Sequence, residues 1–142
     1  MSAYADTGFL VSLYVLDANS AAASARMEKS KLPVLLTPFG ELELANALSL
    51  RVFRKELSFG KAKAARSLFA TDTENGVFAV RPLPATLFDR AKRLARARTP
   101  HLCTRTLDVL HVASALLLQA DTFFTFDRNQ ARLAKAEGLS VP

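Results

Sequence analysis

A chain of 142 residues, half of them hydrophobic and without a biased low-complexity tract, is long enough to bury a real core and does not read as disordered. No apolar run reaches the length of a membrane span, and the single Cys103 excludes an internal disulfide and a cysteine-based zinc site. The formal net charge of +6 favours an anionic partner, either nucleic acid or an acidic protein.

Met1–Asp6 lacks the basic start and apolar region of a signal peptide, so the expected location is the cytoplasm, where a lone thiol stays reduced. Ser2 to Ala5 reads as a short strand that Asp6-Thr7 ends. Asp6 is a good N-cap for the apolar stretch from Gly8 to Val15. An amphipathic helix is expected within Asp17 to Lys31. Pro33 to Thr37 is a compact apolar run, read as a buried strand, and Pro38 suits the first turn of a helix from Phe39 to Lys55. Ser58-Phe59-Gly60 opens a helix that runs to about Thr73. Asn75-Gly76 is a turn, and Val77 to Val80 is a strand stopped by Arg81-Pro82.

Ala85 to Arg98 predicts a helix with Leu87, Phe88, Ala91, Leu94 and Ala95 on one face. Its other face is basic, with Arg90, Lys92, Arg93, Arg96 and Arg98. Thr99 to Arg105 is read as a loop. Thr106 to about Ala120 is a helix apolar around most of its circumference, hence a core helix, with Asp108 at its entrance. Asp121 to Asp127 reads as a strand, Asn129 to Glu137 as a helix closed by Gly138, and Leu139 to Val141 as a last short strand. Strands alternate with helices and no linker or repeat interrupts them. The expectation is one domain over residues 1–142, an α/β fold with a central parallel sheet and helices on both faces.

In an open parallel sheet, sites form outside the carboxyl ends of the strands. Asp6 and Asp127 lie where strands end. Glu43, with Glu41 near it, and Asp108 lie early in helices. This placement allows four acids, far apart in sequence, to converge on one edge. Clustered carboxylates repel one another unless a cation is present, and an all-oxygen set suits Mg²⁺ or Mn²⁺. A basic protein with an acidic metal site fits metal-assisted hydrolysis of a phosphodiester, with the basic surface holding the rest of the nucleic acid.

Four motifs carry a resemblance. They are Tyr4-Ala5-Asp6-Thr7 before an apolar helix, Glu43-Leu44-Ala45-Asn46-Ala47-Leu48, Leu107-Asp108-Val109-Leu110-His111-Val112-Ala113-Ser114-Ala115-Leu116, and Thr125-Phe126-Asp127-Arg128-Asn129-Gln130 with Gly138-Leu139 beyond. In this order and spacing they resemble the PIN domain family over essentially the whole chain, and most closely its VapC-type toxins. The resemblance implies a three-layer α/β/α fold and a Mg²⁺- or Mn²⁺-dependent endoribonuclease. It also implies a homodimer neutralised by a VapB-like antitoxin. Carried over by motif, the metal-site acids are Asp6, Glu43, Asp108 and Asp127, with the hydroxyls of Thr7 and Thr125 orienting them. Glu41 is set aside, because it lies roughly 200° around the helix from Glu43 and does not match the family's acid.

Asn46, three residues after Glu43, shares its face and is a candidate for a hydrogen bond in the site. His111, three after Asp108, is read as structural. Arg105 and Arg128 lie beside proposed ligands and are candidate phosphate contacts for the RNA substrate. The alternative to an enzyme is a catalytically silent PIN-like module that binds RNA or an antitoxin. A phosphotransfer protein using Asp6 as nucleophile is disfavoured, since Gly8 occupies the position where haloacid-dehalogenase-type phosphatases carry a second aspartate.

Overall fold

A computed structural model describes all of residues 1–142. Four strands, β1 (Ala3–Ala5), β2 (Val34–Leu36), β3 (Phe78–Val80) and β4 (Thr122–Phe124), form one sheet in the order β3-β2-β1-β4. Every pairing is parallel, and Tyr4 stands opposite both Leu35 and Phe123. The helices are α1 (Thr7–Tyr14), α2 (Ser20–Lys29), α3 (Pro38–Phe53), α4 (Phe59–Glu74), α5 (Leu87–Leu102), α6 (Thr106–Leu117) and α7 (Arg128–Ala136). None is long and apolar enough to cross a membrane.

The strands are apolar on both sides because successive side chains point to opposite faces. Ala3, Ala5, Val34, Leu36, Phe78 and Phe124 enter one core with Phe9, Leu10, Leu44, Leu48 and Ala65 of α1, α3 and α4. Tyr4, Leu35 and Phe123 enter a second core with Leu87, Leu94, Val109, Val112 and Leu133 of α5, α6 and α7. The result is the expected α/β/α sandwich with α1–α4 on one face and α5–α7 on the other.

Three expected boundaries change. α5 runs through Thr99, Pro100 and His101 to Leu102, where a loop was expected. Pro100 falls in the last turn, so only one helical hydrogen bond is lost, and Leu102 gains a place against the second core. Cys103 then closes the helix in the left-handed region, its N–H on the Thr99 carbonyl. The expected strand Leu139 to Val141 is reduced to a single bridge between Ser140 and Thr122. β4 is also shorter than Asp121–Asp127. Thr125, Phe126 and Asp127 leave the sheet and turn into α7, which is what brings Asp127 to the site.

Candidate active site

The carboxyl ends of β1 and β4 open into a cleft of about 510 Å³ lined by Asp6, Thr7, Gly8, Glu43, Arg105, Asp108, His111, Asp127 and Gln130, among others. All four predicted acids are there, each delivered by a different segment.

Asp6 follows β1 directly and caps α1. Its Oδ1 accepts from the Phe9 backbone N–H at 2.7 Å, and its Oδ2 accepts from the Thr125 hydroxyl. It is only 5 % exposed, and burial pushes its carboxyl up to about 6, although the Thr125 and Phe9 hydrogen bonds oppose this. Asp6 is therefore a carboxylate whose charge the fold leaves incompletely compensated.

Glu43 reaches the cleft from the second turn of α3. Thr7 donates to its Oε1 at 2.6 Å, and His111 Nε2 meets the same oxygen. Burial pushes the Glu43 carboxyl up, but the hydrogen bonds from His111 and Thr7 outweigh it, so Glu43 stays below the ordinary glutamate value. An ionised carboxylate only accepts, so Nε2 is the donor. The Tyr4 hydroxyl hydrogen-bonds to the other ring nitrogen, Nδ1, at 2.8 Å. A buried chain Tyr4–His111–Glu43–Thr7 thus fixes the glutamate from the second core outward.

Asp108 sits in the first turn of α6. Its Oδ2 accepts from the Arg105 backbone N–H at 3.2 Å and lies 3.3 Å from Arg105 Nε. Asp127 caps α7, accepting from the Gln130 N–H at 2.8 Å, and its other oxygen lies 3.5 Å from Arg105 Nη2. Thr125 ties the two ends of the site together. Its hydroxyl donates to Asp6, accepts from the Asp127 N–H at 3.0 Å and lies 3.1 Å from the Gln130 side-chain oxygen.

Thr7 and Thr125 each hydrogen-bond to an acid of the cleft, Glu43 and Asp6 respectively. Asn46 does not. It is exposed, outside the cleft lining, because three helical residues leave it about 60° round from Glu43 toward solvent. Arg105 lines the cleft, whereas Arg128 is exposed beside it and is not among the lining residues. Gln130, given no role from sequence, lines the cleft, and His111, read as structural, hydrogen-bonds to Glu43. Their signal was positional, since each lies three residues beyond a site aspartate.

No three of these side chains close on a common point tightly enough to hold an ion as they stand. Their chemistry nevertheless suits a hard cation. The donors are all carboxylate, and Mg²⁺ characteristically takes one or two carboxylates while keeping several waters. The Arg105 guanidinium already stands as a cation between Asp108 and Asp127.

The family model for the PIN domain matches residues 3–136. The chain belongs to the PIN domain family. Its fold is similar to that of VapC20 from Mycobacterium tuberculosis, described as a sarcin-ricin loop cleaving toxin, with a TM-score of 0.69 at 17% identity over 92% of this chain and 93% of that one. FitAcB from Neisseria gonorrhoeae is similar at a TM-score of 0.67 and 18% identity, over 98% of this PIN domain and 95% of that chain. VapBC2 from Rickettsia felis, solved with a fragment of promoter DNA, gives a TM-score of 0.68 at 14% identity over 100% and 98%. No curated protein matches the sequence.

Proposed function

We propose that this PIN domain is a Mg²⁺- or Mn²⁺-dependent endoribonuclease acting as a VapC-like toxin. The observation that supports it most is the meeting of Asp6, Glu43, Asp108 and Asp127, from four separate segments, in one cleft at the carboxyl edge of a parallel sheet. These four residues would hold the cation, directly or through water. A bound divalent cation supplies Lewis acidity to the phosphate and lowers the pKa of a coordinated water. The chain's part is positional. Thr125 and the α1 N-terminus hold Asp6, while His111 and Thr7 keep Glu43 ionised and aimed. The reaction class is hydrolysis of an RNA phosphodiester by water, and no side chain need serve as nucleophile. Arg105 and Arg128 flank the cleft as phosphate contacts.

The proposed partner is a VapB-like antitoxin. A groove of about 940 Å³ between α1, α3 and α4 is lined by Tyr14, Val15, Val52, Leu57 and Ala65 among others, and it leaves Leu16, Phe59 and Leu68 exposed. Such an apolar surface favours a partner, and a homodimer is a second way of covering apolar surface.

The test is cleavage of a mixed cellular RNA pool with and without Mg²⁺ or Mn²⁺, using wild type beside Asp6→Asn and Asp108→Asn. Metal-dependent cutting that both substitutions abolish is expected. Cutting that survives both would sink the assignment. RNA binding without cutting by any form would favour the silent binding module.

A further inference from the structure

Arg105 is the only lysine or arginine lining the cleft. Its side chain is 77% exposed, yet its guanidinium folds back over the site. Nε lies 3.3 Å from Asp108 Oδ2, and Nη2 lies 3.5 Å from Asp127 Oδ2. The two carboxylates belong to different elements, α6 and the cap of α7. The contact is therefore a bridge across the site as well as a pair within one helix turn. The first turn of α6 does not depend on it, because the Arg105 backbone N–H already donates to Asp108 at 3.2 Å. The guanidinium side of the bridge is exposed although Asp108 is buried, so solvent weakens it.

We propose that Arg105 is a built-in competitor for the divalent cation, bridging Asp108 and Asp127 until a cation displaces it. The proposal rests on the metal-dependent reading above and concerns how the site is loaded. A guanidinium and a hard cation seek the same carboxylate oxygens, and Asp108 and Asp127 serve one or the other. The guanidinium charge also repels an ion a few ångströms away. Arg105 thereby raises the cation concentration at which the site fills. Once displaced, its exposed side chain is released toward solvent, where a substrate phosphate would meet it.

The experiment is Mn²⁺ titration of the full-length protein, read by calorimetry and by electron paramagnetic resonance of free Mn²⁺, with no RNA present. Wild type is compared with Arg105→Ala and Arg105→Lys. Arg105→Ala should bind Mn²⁺ roughly tenfold more tightly, the scale of repulsion between a single and a double charge several ångströms apart in a water-like dielectric. Arg105→Lys, which keeps the charge without the two-pronged bridge, should fall between. The gain should shrink in an Asp108→Asn background, where one of the two contested carboxylates is gone and only the charge repulsion and the Asp127 contact remain. Equal or weaker Mn²⁺ binding by Arg105→Ala overturns this proposal and leaves the metal reading standing. Absence of Mn²⁺ binding in wild type and variants alike overturns both. Arg105 is exposed, so the variants are expected to fold, and a thermal melt without metal checks that they do.

Discussion

Burial pushes the Asp6 carboxyl up to about 6 from an ordinary 3.8, so the folded protein holds that proton more tightly than the unfolded chain does. Stability from this group is fully present below the unfolded value and is lost as pH rises toward the folded one. Between pH 4 and 8 the loss should be roughly 2–3 kcal/mol. Asp6→Asn should remove most of that dependence, which chemical denaturation at several pH values would measure. An identical pH profile for both proteins would refute it. Glu43 works in the opposite sense. Its carboxyl is held low chiefly by His111 and Thr7 against burial, so its contribution is present above the ordinary glutamate value and lost on acidification. His111→Phe would leave the Tyr4 hydroxyl and Glu43 without their buried partner. The expected cost is about 2–3 kcal/mol in unfolding free energy, within the range for stranding buried polar groups.

Elements, more than single side chains, decide whether the acids stay together. The turn Thr125-Phe126-Asp127 carries two site residues and leaves β4 without a ladder to hold it. Arg26 of α2 supplies that hold from the other side of the sheet edge. Its Nη1 donates to the Thr125 carbonyl at 3.1 Å, and its guanidinium lies 4.5 Å from the Phe126 ring centre. Arg26→Ala should therefore loosen the turn and weaken Mn²⁺ binding, toward the lower end of the roughly 10–100-fold range seen for outer supports of metal ligands. Global stability should change little. Calorimetry beside a thermal melt separates the two effects, and unchanged Mn²⁺ affinity would show the turn to be held without Arg26.

For the whole molecule, four of the 13 acidic residues face one cleft, so the remaining surface is more basic than a net charge of +6 conveys. Lys92, Arg93 and Arg96 are exposed on α5, although Lys92 already pairs with Asp89 at 3.1 Å. Arg98 is committed elsewhere. It donates to Glu137 at 2.7 Å and to the Ala136 carbonyl, closing the end of α7. RNA affinity should fall steeply with salt. A triple alanine variant at Lys92, Arg93 and Arg96 should reduce the slope of log affinity against log salt by about 2 if all three meet phosphates of a single strand. Arg98→Ala should lower stability and leave that slope unchanged. An unaltered slope in the triple variant would assign this face to something other than RNA.

The alternation of short apolar runs with amphipathic stretches is local information, and by itself it determined the order of strands and helices, the parallel sheet and the layering. The four acid motifs were equally legible, because each is a short run of residues at a strand end or a helix start. What lay beyond the sequence was set by contacts between segments far apart in the chain. Only the tertiary structure joins His111 to Tyr4 and Glu43, and Thr125 to Asp6, across separations of 68 to 119 residues. Only it turns Asn46 out to solvent and carries α5 past Pro100, since packing of Leu102 outweighs one lost hydrogen bond. Local pattern specifies elements, whereas the direction in which a polar side chain points depends on which element the fold packs opposite it.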